Sequence, residues 1–276
     1  MSTWLITGCS TGLGRSLAQA CVAAGHNVVA TARDAGKVAD LAASAPDRVL
    51  AVALDVTQPA QVTDAVAQAQ TRFGGVDVLV NNAGYGYRAA VEEGEDADVR
   101  TLFETHVFGA VAMIKAVLPE MRARRSGAIV NVSSIGAQVT PVGSGYYAAA
   151  KAALEGLSGS LHAELAPLGI SVTIVEPGGF RTDFAGRSLT QSSTPIADYA
   201  DTAGKRRKEH DTVHGTQPGD PDKAGTAIIA AVEASEPPSF LLLGTDALSN
   251  YRRVADGRAA EIAKWESVTT GTDFDA

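Results

Sequence analysis

The chain has 276 residues, 45% hydrophobic and 20% charged, with a formal net charge of −8. That length suits one large α/β domain, and the composition is ordinary for a globular protein. An acidic chain without a long basic run argues against a nucleic-acid partner. Its one basic cluster, Lys205-Arg206-Arg207-Lys208, is followed by Glu209 and Asp211 and reads as a solvated helix face. Cys9 and Cys21 form no CxxC pair, so neither a metal site nor a disulfide framework is expected. Reduced thiols point to the cytoplasm. The apolar Trp4-Leu5-Ile6 starts too early for a signal peptide, and no uninterrupted apolar run is long enough to cross a bilayer.

In chain order, short β-branched runs alternate with longer alanine-rich ones. A strand is predicted at 4–7, then a helix at 13–24, strands at 27–31 and 49–54, and a helix at 58–73. A strand at 76–80 precedes a helix at 99–124; strand 128–132 precedes helix 147–168; strands at 171–175 and 240–243 complete the set. The strand runs are apolar almost throughout, as expected for strands buried on both faces. Strand–helix alternation implies βαβ units. The expectation is a single α/β domain over 1–276: a Rossmann-type, doubly wound parallel sheet of about seven strands with helices on both faces. Periodicity weakens over 185–221, just after a strand's C-terminal end, where ligands of open α/β sheets bind; this segment reads as a substrate lid.

The first strand runs into "TGCSTGLG", Thr7 to Gly14. Gly8-Cys9-Ser10-Thr11-Gly12 fits the G-x-S-x-G nucleophile elbow, which would make Ser10 a nucleophile. An elbow needs an oxyanion loop from an earlier strand, and only one strand precedes Ser10. The other reading is a phosphate cradle. Glycines at 8, 12 and 14 let the backbone approach a ligand closely. The helix opening at Leu13 offers free N–H groups and a positive dipole end, and Ser10 and Thr11 can add hydroxyl donors.

Four further stretches stand in register with this turn: "NNAG" (81–84), "NVSS" (131–134), "YAAAK" (147–151) and "EPGGFRT" (176–182). In order and spacing the set resembles the short-chain dehydrogenase/reductase family over residues 3–184. The stretches "VFGAV", "LEGLSGSLHAEL" and "VEPGGFRTDF" resemble its subgroup of hydroxysteroid and retinol-type dehydrogenases. The resemblance implies that Gly8, Gly12 and Gly14 hold a pyrophosphate and that Asp55 contacts the adenine edge. Asn82 and Gly84 would shape the cofactor floor, and Thr182 would contact the nicotinamide end. Ser10, Thr11, Leu13, Val56, Ala83, Pro177 and Gly178 fall in the same cofactor-binding set, with Tyr147 and Lys151. The implied catalytic residues are Tyr147 as acid/base, Lys151 as its partner and Ser134 as the substrate-oxygen anchor.

The chemistry accounts for these residue types. Hydride transfer to a carbonyl leaves an alkoxide that needs a proton, and a free tyrosine, with a pKa of about 10, is a reluctant shuttle at neutral pH. Lys151, four residues after Tyr147, shares its helical face, and its ammonium is expected to lower the tyrosine pKa. Tyr146 has Ala150 four residues on and is assigned a packing role. His26, His162, His210 and His214 sit in no motif and read as surface residues.

NADP(H) is expected in preference to NAD(H). The second strand ends at Ala32, where an NAD site typically carries an acid for the ribose 2′-hydroxyl. Arg33 follows and can clamp a 2′-phosphate, partly offset by Asp34.

In "FETHVFG", His106 stands where the family usually has Asn. The resemblance implies that this Asn stabilises a helix kink and anchors a water linking Lys151 to solvent. An imidazole can hold a water and could also titrate near neutrality, which an amide cannot. The alternative is a partly buried histidine satisfied by a backbone carbonyl.

The expected activity is hydride transfer on a ketone or secondary alcohol. Tyr85, Tyr87, Phe184, Leu189 and Tyr199 suggest a bulky, apolar substrate. Two alternatives stand beside it. One is a non-catalytic nucleotide sensor, whose relatives usually lack the Tyr–Lys pair. The other is an elimination or epimerisation enzyme, whose halide-eliminating version would carry Arg in place of Lys151. A homodimer or homotetramer is expected, because Ala149, Ala153, Gly156 and Gly159 allow close approach of the Tyr147 helix to a partner.

Overall fold

A computed structural model of the chain describes residues 1–186, 188–209 and 215–274. Seven strands form one parallel sheet: β1 (Thr3–Ile6), β2 (Asn27–Ala32), β3 (Val49–Ala53), β4 (Val78–Asn81), β6 (Gly127–Val132), β7 (Ile170–Pro177) and β9 (Phe240–Leu243). Their order is β3-β2-β1-β4-β6-β7-β9. Each agrees with a predicted apolar run to within about two residues.

Side chains alternate along these strands, so successive residues feed opposite faces. Trp4, Ile6, Val28, Ala30, Val80 and Val130 pack beneath α1 (Gly12–Ala23), α2 (Ala39–Ser44) and the helix Pro221–Val232. Leu5, Val29, Leu79, Ile129 and Val172 pack against α3 (Pro59–Phe73) and the helices that follow it. Burial on both faces explains why the strands read as continuous apolar runs.

The predicted 99–124 helix is interrupted. It begins as α4 (Asp96–Phe103), passes through a π turn at Glu104–Phe108 and resumes as α5 (Gly109–Arg124). By length and composition Asp96–Arg124 is long and apolar enough to cross a membrane. Its apolar side, including Leu102, Met113, Ile114, Val117 and Met121, is buried in the protein. After the short α6 (Gly136–Val139) comes α7 (Gly145–Leu165), whose outer Ala149, Ala153, Gly156 and Gly159 are exposed.

Two short strands are absent from the predicted set: β5 (Gly86–Arg88) and β8 (Leu189–Gln191), which pair in parallel. They attach the segment after β7 to the segment after β4. Glu93, whose side chain is fully buried, completes the attachment: it accepts from the N–H of Ala90 and of Ile196, each at 2.8 Å, and pairs with Arg207. The basic cluster is therefore not a simple solvated face. Lys205 is exposed, but Arg207 is turned inward and Arg206 pairs with Glu209.

His26 is also not on the surface. It is buried against Trp4, with Nε2 3.1 Å from Glu233. His162 is half-buried, its Nδ1 3.3 Å from the Val172 carbonyl. His210 and His214 lie outside the described residues.

Candidate active site

β1 and β4 are neighbours whose onward connections run to opposite sides, which opens a crevice at their carboxyl ends. The "TGCSTGLG" turn lies there. The Thr7 hydroxyl donates to the Val80 carbonyl at 3.2 Å and accepts the N–H groups of Asn82 and Ala83, both at 2.9 Å. The Asn82 amide donates back to the carbonyls of Thr7 and Gly8, at 2.8 and 3.1 Å. Two loops far apart in sequence are thereby fused into one floor.

The glycines are needed for this closeness. Gly8 has φ +74°, and a Cβ there would lie 2.9 Å from Ala83 Cα; a Cβ at Gly14 would lie 2.4 Å from Asn82 Nδ2 and 2.6 Å from the Gly8 carbonyl. Thr11 precedes α1 without a side-chain cap, so the first-turn N–H groups remain available to an anion. Thr182 closes the far side, its Cβ 3.3 Å from where a Gly12 Cβ would stand. Ser10 makes no side-chain hydrogen bond among the described residues, and Cys9 beside it is buried, its thiol pushed up to about 12 by desolvation. This is a cradle that fits a dinucleotide's pyrophosphate, not a nucleophile elbow.

Around the cradle, Ala32 is buried at the end of β2 while Arg33 is exposed. Asp34 is engaged elsewhere, accepting the Gly36 N–H at 2.9 Å. Asp55 holds its own turn through Thr57, at 3.0 Å from the N–H and 2.7 Å from the hydroxyl. The Val56 side chain is buried against Gly109. Pro177 is buried and Gly178 is fixed by a 2.9 Å bond to the Leu243 carbonyl. Gly84 lies against the His106 ring.

Tyr147, Lys151 and Ser134 converge at the mouth of the crevice, brought there by α7 and the end of β6. The Ser134 hydroxyl accepts the Gly136 N–H at 3.0 Å and bonds the Tyr147 phenol. The Lys151 ammonium is buried. It donates to the Val132 carbonyl at 2.7 Å and lies 5.8 Å from the Tyr147 ring centroid. One expectation is corrected here: the Tyr147 phenol is raised, not lowered. Burial dominates and pushes Tyr147 up to about 12, with the Ser134 bond opposing it. Burial also lowers Lys151 to about 8, with Glu155 opposing. Tyr146 is committed to packing, its hydroxyl donating to the Val91 carbonyl at 2.6 Å.

His106 sits in the π turn and is buried, edge-on to Tyr147. Its Nε2 lies 2.8 Å from the Tyr85 carbonyl and 3.1 Å from the Tyr85 N–H; the shorter contact assigns the proton to Nε2. Burial and then Lys151 hold its pKa well below the usual histidine range. The imidazole therefore stays neutral through neutral pH, which overturns the expectation that it titrates there.

Among the residues expected to surround the substrate, Phe184 is partly exposed 5.8 Å from the Tyr147 ring. Tyr87 is instead buried, and the Tyr199 hydroxyl donates to Glu92 at 2.7 Å.

A small cavity of about 10 Å³ lies between His106 and Lys151, lined also by Thr7, Asn81 and Thr105. Asn81 was not singled out from the sequence, though it opens "NNAG". Its amide donates to the Asn131 side chain at 2.9 Å, and that of Asn131 to the Ser158 hydroxyl at 2.8 Å.

Comparison with known proteins agrees with this geometry. The short chain dehydrogenase family pattern matches residues 2–193. A crystal structure of a short-chain dehydrogenase from Streptomyces avermitilis is 44% identical, with a TM-score of 0.92, covering 99% of this chain and 100% of that one. One from Burkholderia cenocepacia in complex with NADP is 27% identical, with a TM-score of 0.74, covering 95% and 96%. Oxidoreductase BOA17 of Botryotinia fuckeliana is 38% identical over 96% of this chain and 97% of its own length. Human retinol dehydrogenase 8 is 42% identical over 72% and 65%. The chain belongs to the short-chain dehydrogenase family. It is an oxidoreductase of the class acting on CH–OH groups with a nicotinamide cofactor.

Proposed function

We propose that the chain is an NADP(H)-dependent oxidoreductase that interconverts a bulky, apolar ketone and its secondary alcohol, with Tyr147 as acid/base. The observation that carries this reading is the convergence of Tyr147, Ser134 and buried Lys151 beside the glycine cradle. When bound, the nicotinamide supplies or accepts the hydride. Ser134 steadies the substrate oxygen as charge develops there. With its pKa raised, Tyr147 keeps its proton at neutral pH and stands as the donor for carbonyl reduction.

The small cavity between His106 and Lys151 suits proton resupply. The cavity beside Lys151 matches one water, which needs on the order of 10–15 Å³. His106 Nδ1 and Asn81 Oδ1, both associated with this cavity, are buried without a protein partner. A water held there would accept from Lys151 and donate to His106 Nδ1 and Asn81 Oδ1, matching each group's bonding role. His106 thus takes the water-holding part that Asn plays elsewhere in the family, and does so as a neutral ring.

Arg33 is exposed at the end of β2 with no ion pair among the described residues and suits a 2′-phosphate. The segment after β7, held by Glu93, serves as the lid, with Phe184 presenting an apolar wall to the substrate. The retinol dehydrogenase relative supports a bulky apolar substrate. The small-residue face of α7 supports a homodimer or homotetramer, and a cytoplasmic location completes the proposal.

Three measurements test these assignments. Tyr147→Phe abolishes turnover on hydrophobic ketones while the cofactor dissociation constant stays within about twofold; retained turnover moves the acid elsewhere. Arg33→Ala lowers the NADPH-to-NADH ratio of kcat/KM by about tenfold or more; an unchanged ratio refutes the assignment. His106→Ala loses about tenfold in kcat with little change in cofactor affinity, and His106→Asn largely retains it. Because the ring is neutral, His106→Asn leaves the rate profile between about pH 6 and 8 unmoved; wild-type rates in His106→Ala reduce the residue to packing.

A further inference from the structure

Glu176 opens the "EPGGFRT" stretch, yet no step above uses it. It is completely buried at the end of β7. It lies against Glu155, which stands one turn after Lys151 on α7. The Gln138 amide nitrogen bridges the two carboxyls, 2.8 Å from Glu155 Oε2 and 2.9 Å from Glu176 Oε1. The Ser133 hydroxyl donates to Glu155 Oε1. The second oxygen of Glu176 is buried and has no donor in the protein.

Two carboxyl groups in contact do not both ionise. A single proton between them gives the orphaned Glu176 oxygen its partner and makes the pair a monoanion. The charged groups around it are few. Lys151 is the cation on α7, and it interacts electrostatically with Glu155. Arg258, on the helix Thr245–Thr270, reaches Gln138 Oε1 at 3.5 Å. Ser133 and Gln138 are neutral, and Glu176's partner in the β9 ladder is Leu242.

We propose that Glu155 and Glu176 share one proton and act as a positioning clamp behind the catalytic residues. The clamp joins three elements at the points where they carry the site. Ser133 lies between Val132, which holds Lys151, and Ser134. Glu155 belongs to the Tyr147–Lys151 helix, and Glu176 is followed directly by Pro177 and Gly178 of the cofactor edge. Loss of the shared proton places two negative charges in contact and separates α7 from β7.

This inference rests on the proposed catalytic reading, so its test has one arm that needs turnover and one that does not. Burial and Glu155 push Glu176 up to about 8, from an ordinary value of 4.5. The folded chain therefore holds an extra proton between those values. The associated stability is fully present below 4.5 and is lost as pH rises through about 8. The wild-type thermal midpoint thus falls between pH 5 and 8 relative to Glu176→Gln, whose amide donates the bond without titrating. Parallel midpoint curves, in Glu176→Gln and in Glu155→Gln as a second variant, overturn the shared proton whether or not a substrate has been found.

In the kinetic arm, wild-type kcat declines above about pH 8 with a nearly constant cofactor dissociation constant. Glu176→Gln keeps neutral-pH kcat within about threefold and shows a shallower decline, the part due to Lys151 alone, whereas Glu176→Leu loses about tenfold at neutral pH. Lys151 titrates in the same range. A decline that survives unchanged in Glu176→Gln belongs to Lys151 and overturns the clamp.

Discussion

The site depends on one constraint: a lysine ammonium has been taken out of water and given a backbone carbonyl. A buried cation is costly unless its bonds are supplied, and the Val132 carbonyl at 2.7 Å supplies the first. That bond sets where α7 meets the end of β6, and hence where Tyr147 stands relative to Ser134. The same charge helps keep His106 neutral, and Glu155 opposes the desolvation of the ammonium from one turn further on. Lys151, the cavity, the π turn and the carboxyl pair form one connected arrangement in which the cation is the common member.

The dinucleotide cradle is built on a different principle. The turn itself, Thr7 to Gly14, contains no charged residue; backbone N–H groups and the end of α1 provide the attraction. What the turn requires is proximity, and the Thr7–Asn82 bonds supply it by drawing the β1 and β4 loops to within the distance that only glycine tolerates. Charge enters at the rim, at exposed Arg33, which in the proposed reading would distinguish a phosphate ester from a hydroxyl.

The parallel sheet was legible because every strand is apolar on both faces, and the glycine turn because its spacing sits at a strand–helix junction. Other features leave no local signal. β5 and β8 are three residues each and exist only because the chain after β7 returns to pair with the chain after β4. The π turn is one extra residue in an otherwise helical pattern, and it faces His106 inward. The Glu155–Glu176 contact joins positions with no periodic relation. The expectation of a lowered tyrosine pKa failed for a related reason: helical spacing shows that Tyr147 and Lys151 share a face, but not that burial outweighs the charge between them. Arg207 likewise looked solvated until the fold brought Glu93 beneath it.

The proposed reading is of an enzyme that delivers a hydride and a proton to the two ends of one carbonyl. The most direct measurement follows the hydride. Incubation with NADPH carrying deuterium at the transferable position of the nicotinamide and a panel of bulky, apolar ketones is predicted to give secondary alcohols bearing the deuteron on the former carbonyl carbon. Unlabelled alcohol, or no alcohol from any ketone while the cofactor remains tightly bound, would contradict the account.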